Sequence, residues 1–122
     1  MLTRDEILQA DDLEKRLVEV PEWGGSVWVR ALRGDEYDEF QESILEGKGK
    51  NRQVNVKNLR AKLVVRSVVN ESGERIFDDG DYATVGKKSS AALNRLFVAA
   101  QELSAVDDDE VEALVGNSDT DH

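Results

Sequence analysis

Two short runs of alternating apolar and polar residues near the amino terminus predict a β-hairpin. Within the runs Lys15–Val20 and Ser26–Leu32, successive side chains point to opposite faces, so each run has a mainly apolar face. Gly24 and Gly25 lie between the runs and supply the positive-φ conformations that a tight reversal needs. We therefore expect one hairpin over about residues 15–32.

The rest of the chain has apolar residues spaced by three and four, which predicts helices. Thr3 and Glu6 fit a capping box, and Ser89 or Ser90 is a typical N-cap residue. The predicted helices are a short one from Thr3, one from Gly34-Asp35 to about Leu45, Gln53–Val69, a short one capped by Asp78–Asp81 and ending at Val85, one from Ser89 or Ser90 to about Leu103, and a short last one after Asp107–Glu110.

The segment Gln53–Val69 is ambiguous between helix and strand. Its first half has helical spacing, whereas its second half, Leu63–Val69, is rich in β-branched residues and suits a strand by propensity. We interpret the segment as one helix, because an apolar stripe continues through it and no helix-breaking residue interrupts it.

The two longest predicted helices carry the strongest apolar stripes, so they are expected to cover each other in the core. The residues predicted to be buried together are Leu63, Val64, Val68, Leu93, Leu96 and Phe97.

These elements predict a mainly helical α+β fold, with one N-terminal β-hairpin packed on a bundle of about four to five helices. At 122 residues the chain is long enough for one domain and one modest core. We expect a single globular domain over residues 1–115, with the hairpin at about 15–32 and the helical body at 34–115. Residues 116–122 contain no large apolar side chain and are expected to be a disordered tail.

The composition offers little for catalysis or metal binding. The chain has no cysteine, and its one histidine, His122, is the last residue. Its many acidic residues cluster at helix starts and on polar faces, where capping and solvation explain them. We therefore expect no catalytic site, no metal and no cofactor. No apolar run is long enough to span a membrane and no signal peptide is visible, which favours a cytosolic protein.

A net charge of −10 argues against a nucleic-acid partner and against binding to an anionic membrane surface. One basic block, Lys48–Arg66, contains no acidic residue and has two interpretations. It is either a nucleic-acid patch or the complement of the acidic helix Asp35–Glu46. We favour the second, since the block also lacks aromatic residues for stacking on bases.

Both tryptophans lie in the hairpin, which makes it the candidate partner-binding surface. Trp23 lies near the tip and suits a docking site as well as a core position, whereas a core position is favoured for Trp28. The open strand edge is a second candidate surface, and it can pair with a partner or with a second copy to give a homo-oligomer. The candidate partner-binding residues are Trp23, Val27, Trp28 and Val29.

Taken in order, the motifs resemble those of a known family. The quoted segments are Met1-Leu-Thr-Arg-Asp-Glu-Ile-Leu8, the Val18-Glu-Val-Pro-Glu-Trp-Gly-Gly25 hairpin, Val27-Trp-Val-Arg-Ala-Leu-Arg-Gly-Asp-Glu-Tyr-Asp-Glu-Phe40, Val69-Asn-Glu-Ser-Gly-Glu-Arg-Ile-Phe77 and Lys88-Ser-Ser-Ala-Ala-Leu-Asn-Arg-Leu-Phe97. Up to about Leu114 the chain resembles the tail assembly chaperones of long-tailed bacteriophages.

The resemblance implies a non-enzymatic protein of the bacterial host cytoplasm. Such a protein coats or solubilises the tape measure protein and recruits tail tube subunits during tail assembly. The alternatives are another phage morphogenesis protein, such as a head–tail connector, and a small DNA-associated regulator that uses the Lys48–Arg66 block.

Overall fold

The computed structural model describes residues 1–47 and 49–104, and this part of the chain forms five α-helices and five strands. The predicted last helix at 107–115 and the predicted tail at 116–122 lie outside the described residues. In chain order the elements are α1 (Arg4–Gln9), β1 (Lys15–Val20), β2 (Gly25–Arg30), α2 (Gly34–Ser43), β3 (Leu45–Glu46), β4 (Gln53–Val54), α3 (Leu59–Ser67), β5 (Val68–Val69), α4 (Tyr82–Val85) and α5 (Ser90–Leu103).

Strands β1 and β2 form an antiparallel hairpin whose register pairs Lys15 with Arg30 and Val20 with Gly25. Gly24 ends the intervening 3-10 turn at φ +72°, a left-handed conformation that glycine adopts without steric cost. The hairpin is not isolated, because β5 pairs with the other side of β2, and Trp28 lies opposite Val69. The sheet is therefore three-stranded, in the order β1-β2-β5, and the third strand was not predicted.

The prediction of one continuous helix over Gln53–Val69 was wrong. Residues 53–54 form β4, the helix α3 covers only Leu59–Ser67, and Val68–Val69 form β5. Asn58, just before α3, has φ +61°, which is incompatible with a helix running through it. At the other end the β-branched residues leave the helix because pairing with β2 satisfies their backbone groups.

A second small sheet forms where the sequence predicted the end of a helix. Helix α2 stops at Ser43 instead of about Leu45, and Leu45–Glu46 pair antiparallel with Val54 and Gln53. The two-stranded sheet β3-β4 closes the loop between α2 and α3.

The predicted helix starts are confirmed by their hydrogen bonds. The Thr3 hydroxyl accepts from the Glu6 N–H, and the Glu6 carboxylate accepts from the Thr3 N–H, which completes the capping box. Asp78 N–H likewise donates to the Asp81 carboxylate, and the Ser89 hydroxyl accepts from the Ala92 N–H at the start of α5.

The predicted core is confirmed, since all six residues predicted to be buried together are buried in one cluster. Helices α3 and α5 cover each other, and the inner face of the hairpin, with Val20 and Val29 fully buried, packs against them. Helices hold more of the described residues than strands do, and the arrangement is of the α+β class.

A buried ion pair joins the sheet to α2. Glu36 is 2% exposed, and its carboxylate accepts from Arg30 Nη2 at 2.5 Å and from the Arg33 N–H at 2.9 Å. The Arg30 side chain, itself 12% exposed, also donates to the carbonyl oxygen of Gly73. This pair therefore fixes β2, the start of α2 and the turn near Gly73 relative to one another.

A second ion cluster ties the segment after β5 to α3. Arg75 Nη2 donates to Asp79 Oδ1 at 2.6 Å and to the carbonyl oxygen of Val65, while the buried Arg66 lies 3.7 Å from Asp79 Oδ2. The hydrogen bond from Arg75, with a smaller contribution from Arg66, lowers the pKa of Asp79 from its ordinary value of 3.8. Burial of the carboxylate raises the pKa of Asp79, but by less than the hydrogen bond from Arg75 lowers it.

This cluster is expected to make stability fall in acid. Because the folded pKa of Asp79 lies below its unfolded value, the stabilisation is fully present above about pH 4 and is lost as pH falls through the folded pKa. Urea unfolding midpoints measured between about pH 6 and pH 3 test this. Asp79→Asn should flatten the acid-side slope, and Asp38→Asn, at an exposed position, is the control for the loss of one negative charge. Equal slopes for Asp79→Asn and the wild type would contradict the assignment.

Candidate partner-binding surface

The structure separates the four hairpin residues that the sequence grouped together. Val29 is fully buried and belongs to the core, and Val27 packs against the core from a half-buried position. Trp28 is half-buried and Trp23 is 38% exposed. Of the four, Trp23 therefore offers the most open side chain to a partner.

Trp28 lies on the outer face of the sheet, opposite Leu17 of β1 and Val69 of β5. The Lys15 ammonium lies 4.8 Å from the centre of its ring, a cation–π contact. Leu17, its neighbour on the same face, is 52% exposed. The outer face thus carries an apolar pair, of which Leu17 is the more open member.

The hairpin tip is held against α5 by an ion pair. Arg95 Nε donates to Glu22 Oε1 at 3.1 Å, and the Glu22 side chain is 25% exposed. This hydrogen bond lowers the pKa of Glu22 below its ordinary value. The contact fixes Glu22, the residue next to Trp23, against α5.

Helix α1 and the residues just before it carry several exposed large apolar side chains, which were not among the candidate sites predicted from the sequence. None of its six residues is buried. Leu2 is 66%, Ile7 57% and Leu8 65% exposed. The signal in the sequence is the short length of α1. A helix of under two turns has too little surface of its own to bury several large apolar side chains.

The basic block is largely engaged with the protein. Arg52 pairs with Glu42 of α2, the Lys62 ammonium donates to the carbonyl oxygen of Ser43, and Arg66 is buried. Arg60 donates to the side chain of Asn94 and lies over the ring of Phe97. Lys48 lies outside the described residues. Arg52 and Lys62 therefore contact α2, as expected of its complement, whereas Arg60 contacts α5 and Arg66 lies beside Asp79.

We accordingly expect no nucleic-acid binding at physiological salt. Arg52 and Lys62 of the block are engaged within the protein, and a net charge of −10 opposes association with the polyanionic duplex. An electrophoretic mobility shift with a random DNA duplex and with RNA tests this at about 0.15 M salt. Salt-sensitive binding that weakens in Lys50→Glu would instead identify the block as a nucleic-acid patch.

Within residues 1–47 and 49–104, no group of three or more acidic or histidine side chains is placed to hold a metal ion. No helix in this part of the chain is long and apolar enough to cross a membrane.

The chain matches the phage tail assembly chaperone family over residues 4–114. No curated protein matches it by sequence. A solved structure, that of the bacteriophage HK97 tail assembly chaperone, is similar in fold, with a TM-score of 0.58 and 18% identity. The superposition covers 81% of this chain and 94% of the HK97 protein.

The family match covers nearly the whole chain and agrees with the family suggested by the sequence motifs. It favours the chaperone over the head–tail connector and the DNA-associated regulator. The role of this family is non-enzymatic, as expected from the composition. The chain belongs to the phage tail assembly chaperone family.

Proposed function

We propose that the protein binds the tape measure protein in the cytoplasm of the bacterial host and keeps it soluble while the tail assembles. The contact is made by the N-terminal apolar residues, defined as Leu2, Ile7, Leu8 and Trp23. The tail tube protein is the second partner, recruited to the same complex. Family membership supports a role in tail assembly, and the exposed side chains support the site.

The observation that carries the proposal is the exposure of α1. An isolated helix of six residues is marginal in water, and burying its own apolar side chains against the body would help to stabilise it. Here Leu2, Ile7 and Leu8 each remain more than half exposed instead. A partner that covers them gains about 25 cal/mol for each Å² of apolar surface removed from water.

The chemistry of the surface suits a long apolar or amphipathic client. Exposed apolar side chains on a helix are commonly buried in an apolar groove or against a second helix when a partner binds. The net charge of −10 opposes aggregation of the complex, because the bodies repel one another at short range. Trp23 adds a large aromatic contact of the kind that dominates binding energies.

Co-expression with the tape measure protein of the same phage tests the proposal. The soluble fraction of the tape measure protein should rise with the wild-type protein, and the two should co-purify. Ile7→Asp should abolish both effects, because a carboxylate cannot be buried in an apolar contact without a large desolvation penalty. Ile76→Asp is the matched control, since Ile76 is 52% exposed and Ile7 57%.

If the tape measure protein is equally soluble alone and never co-purifies, the chaperone role toward it is refuted. If Ile7→Asp and Ile76→Asp leave the complex equally intact, the function stands and the site is wrong.

A further inference from the structure

A surface cavity lies where the starts of α3 and α5 come together beside the end of α4. Its volume is about 210 Å³. Cavities that hold drug-sized ligands have volumes of about 300–1,000 Å³, so this one suits a single large side chain of a partner better than a separate small molecule.

The lining of the cavity is partly apolar. Val56, Leu59 and Leu93 all line it. Val56 is 43% exposed, Leu59 is half-buried and Leu93 is 5% exposed, so apolar surface extends from the open side of the cavity to the core. An apolar side chain that enters the cavity removes this surface from water and is stabilised by doing so.

The cavity is also positively charged. All of its lining comes from residues 47–70 and 82–101, and neither segment contains an aspartate or a glutamate, although the chain has 26 of them. Arg60 and Lys88 belong to the lining. The surface therefore has the opposite sign to the net charge of −10, and it attracts acidic groups.

The cations around the cavity lack acidic partners in their own chain. Within the part of the chain that the structure describes, Lys57 and Lys88 form neither an ion pair nor a side-chain hydrogen bond. Arg60 forms no ion pair there, and only its Nε is engaged, through a hydrogen bond to the Asn94 side chain. Carboxylates of a partner can thus pair with these cations without displacing an existing ion pair.

We propose that this cavity docks an acidic segment of a partner protein. One bulky apolar side chain of the segment enters between Val56, Leu59 and Leu93, and the carboxylates on either side of it pair with Arg60 and Lys88.

A polypeptide fits the cavity better than a nucleic acid does. Its lining includes no aromatic ring on which a base could stack, whereas its apolar part matches an aliphatic side chain. None of the N-terminal apolar residues lines the cavity, so this proposal is independent of the proposed function.

Fluorescence anisotropy with a synthetic peptide tests the proposal on the full chain. The probe is a fluorescein-labelled peptide in which a leucine is flanked on both sides by aspartate and glutamate. Its dissociation constant should lie between about 10 µM and about 1 mM and should rise as salt increases from about 0.05 M to about 0.15 M. A peptide with glycine in place of the leucine, or with amides in place of the carboxylates, should bind at least about fivefold more weakly.

Charge reversal tests the contribution of the cations. Lys88→Glu should raise the dissociation constant of the probe by about fivefold, because an attractive charge becomes a repulsive one. Arg4→Glu in α1 is the control, since it changes the net charge equally at an exposed position outside the cavity. Circular dichroism checks that both variants fold.

A second pair of variants tests the apolar contact without changing any charge. Val56→Ser should raise the dissociation constant by about fivefold. Val98→Ser is the matched control and should leave it unchanged, because Val98 is 42% exposed and does not line the cavity. In nuclear magnetic resonance spectra, the amide shifts of Arg60, Ala61 and Ser90 should change when the probe is added.

Absence of binding up to about 1 mM of the probe would overturn the proposal. Occupation of the cavity by the acidic residues 107–110 of the chain itself would exclude the probe and would overturn it in the same way. Equal affinities of Lys88→Glu and Arg4→Glu, or of Val56→Ser and Val98→Ser, would also contradict it. Displacement of the probe by a random DNA duplex would assign the cavity to nucleic acid instead.

Discussion

Replacement of Phe97 by alanine is expected to lower the free energy of unfolding by about 3–5 kcal/mol. The ring is 7% exposed and lies in the central cluster, where α5 packs against α3. Its removal leaves a cavity that the surrounding helices can fill only in part. The Arg60 guanidinium, 5.7 Å from the centre of the ring, also loses its aromatic contact.

Urea unfolding monitored by circular dichroism measures this change. The neighbouring Val98 is 42% exposed, so Val98→Ala is the matched control and should change the free energy of unfolding by no more than about 0.5 kcal/mol. A loss below about 1 kcal/mol for Phe97→Ala would show that the helix presents another face to the core.

Replacement of Glu36 by glutamine is expected to cost about 3–5 kcal/mol, the range typical of a broken buried ion pair. The glutamine keeps the size of the side chain but leaves the Arg30 charge, 12% exposed, without its counter-charge. Thermal and urea unfolding measure the effect, and Glu39→Gln on the exposed surface of α2 is the control.

A double-mutant cycle separates the pair from its surroundings. Arg30→Met with Glu36→Leu removes both charges, so the double variant should lose less stability than the sum of the two single variants. Additive losses would show that the two side chains do not stabilise the fold as a pair.

The helix starts and the main core could be predicted because they depend on local signals. In each of the Ser89 cap, the Thr3–Glu6 capping box and the stripe through Leu93 and Phe97, the residues involved are only a few positions apart. Local hydrogen bonding and a 3.6-residue period determine them, and both can be read in one sequence.

The errors occur where distant contacts decide the structure. Val68 and Val69 leave the helical conformation to pair with β2, some forty residues earlier, and no local pattern records that partner. In the sequence Glu36 looks like a solvated residue on an acidic helix face. In the structure hydrogen bonds from Arg30 and from the Arg33 N–H stabilise its carboxylate in a buried position. The spacing between Arg33, the N-cap residue of α2, and Glu36 three positions later is that of a capping box, and this signal was present in the sequence.

The candidate site was predicted only in part. The alternating pattern identified the hairpin, but pattern alone does not show which face another element covers, and Val29 belongs to the core. The exposed residues of α1 were overlooked because a helical pattern normally indicates a buried stripe. The core cluster forms without Leu2, Ile7 and Leu8, and this depends on tertiary contacts that the sequence pattern does not record.

Hydrogen exchange of the protein alone and in complex with its tape measure protein tests the central claim most directly. The account predicts that the amides of α1, Arg4–Gln9, and of the tip around Trp23 exchange more slowly in the complex, while those of the distant turn near Gly73 are unchanged. A complex that forms while exchange in α1 stays as fast as in the free protein would contradict it.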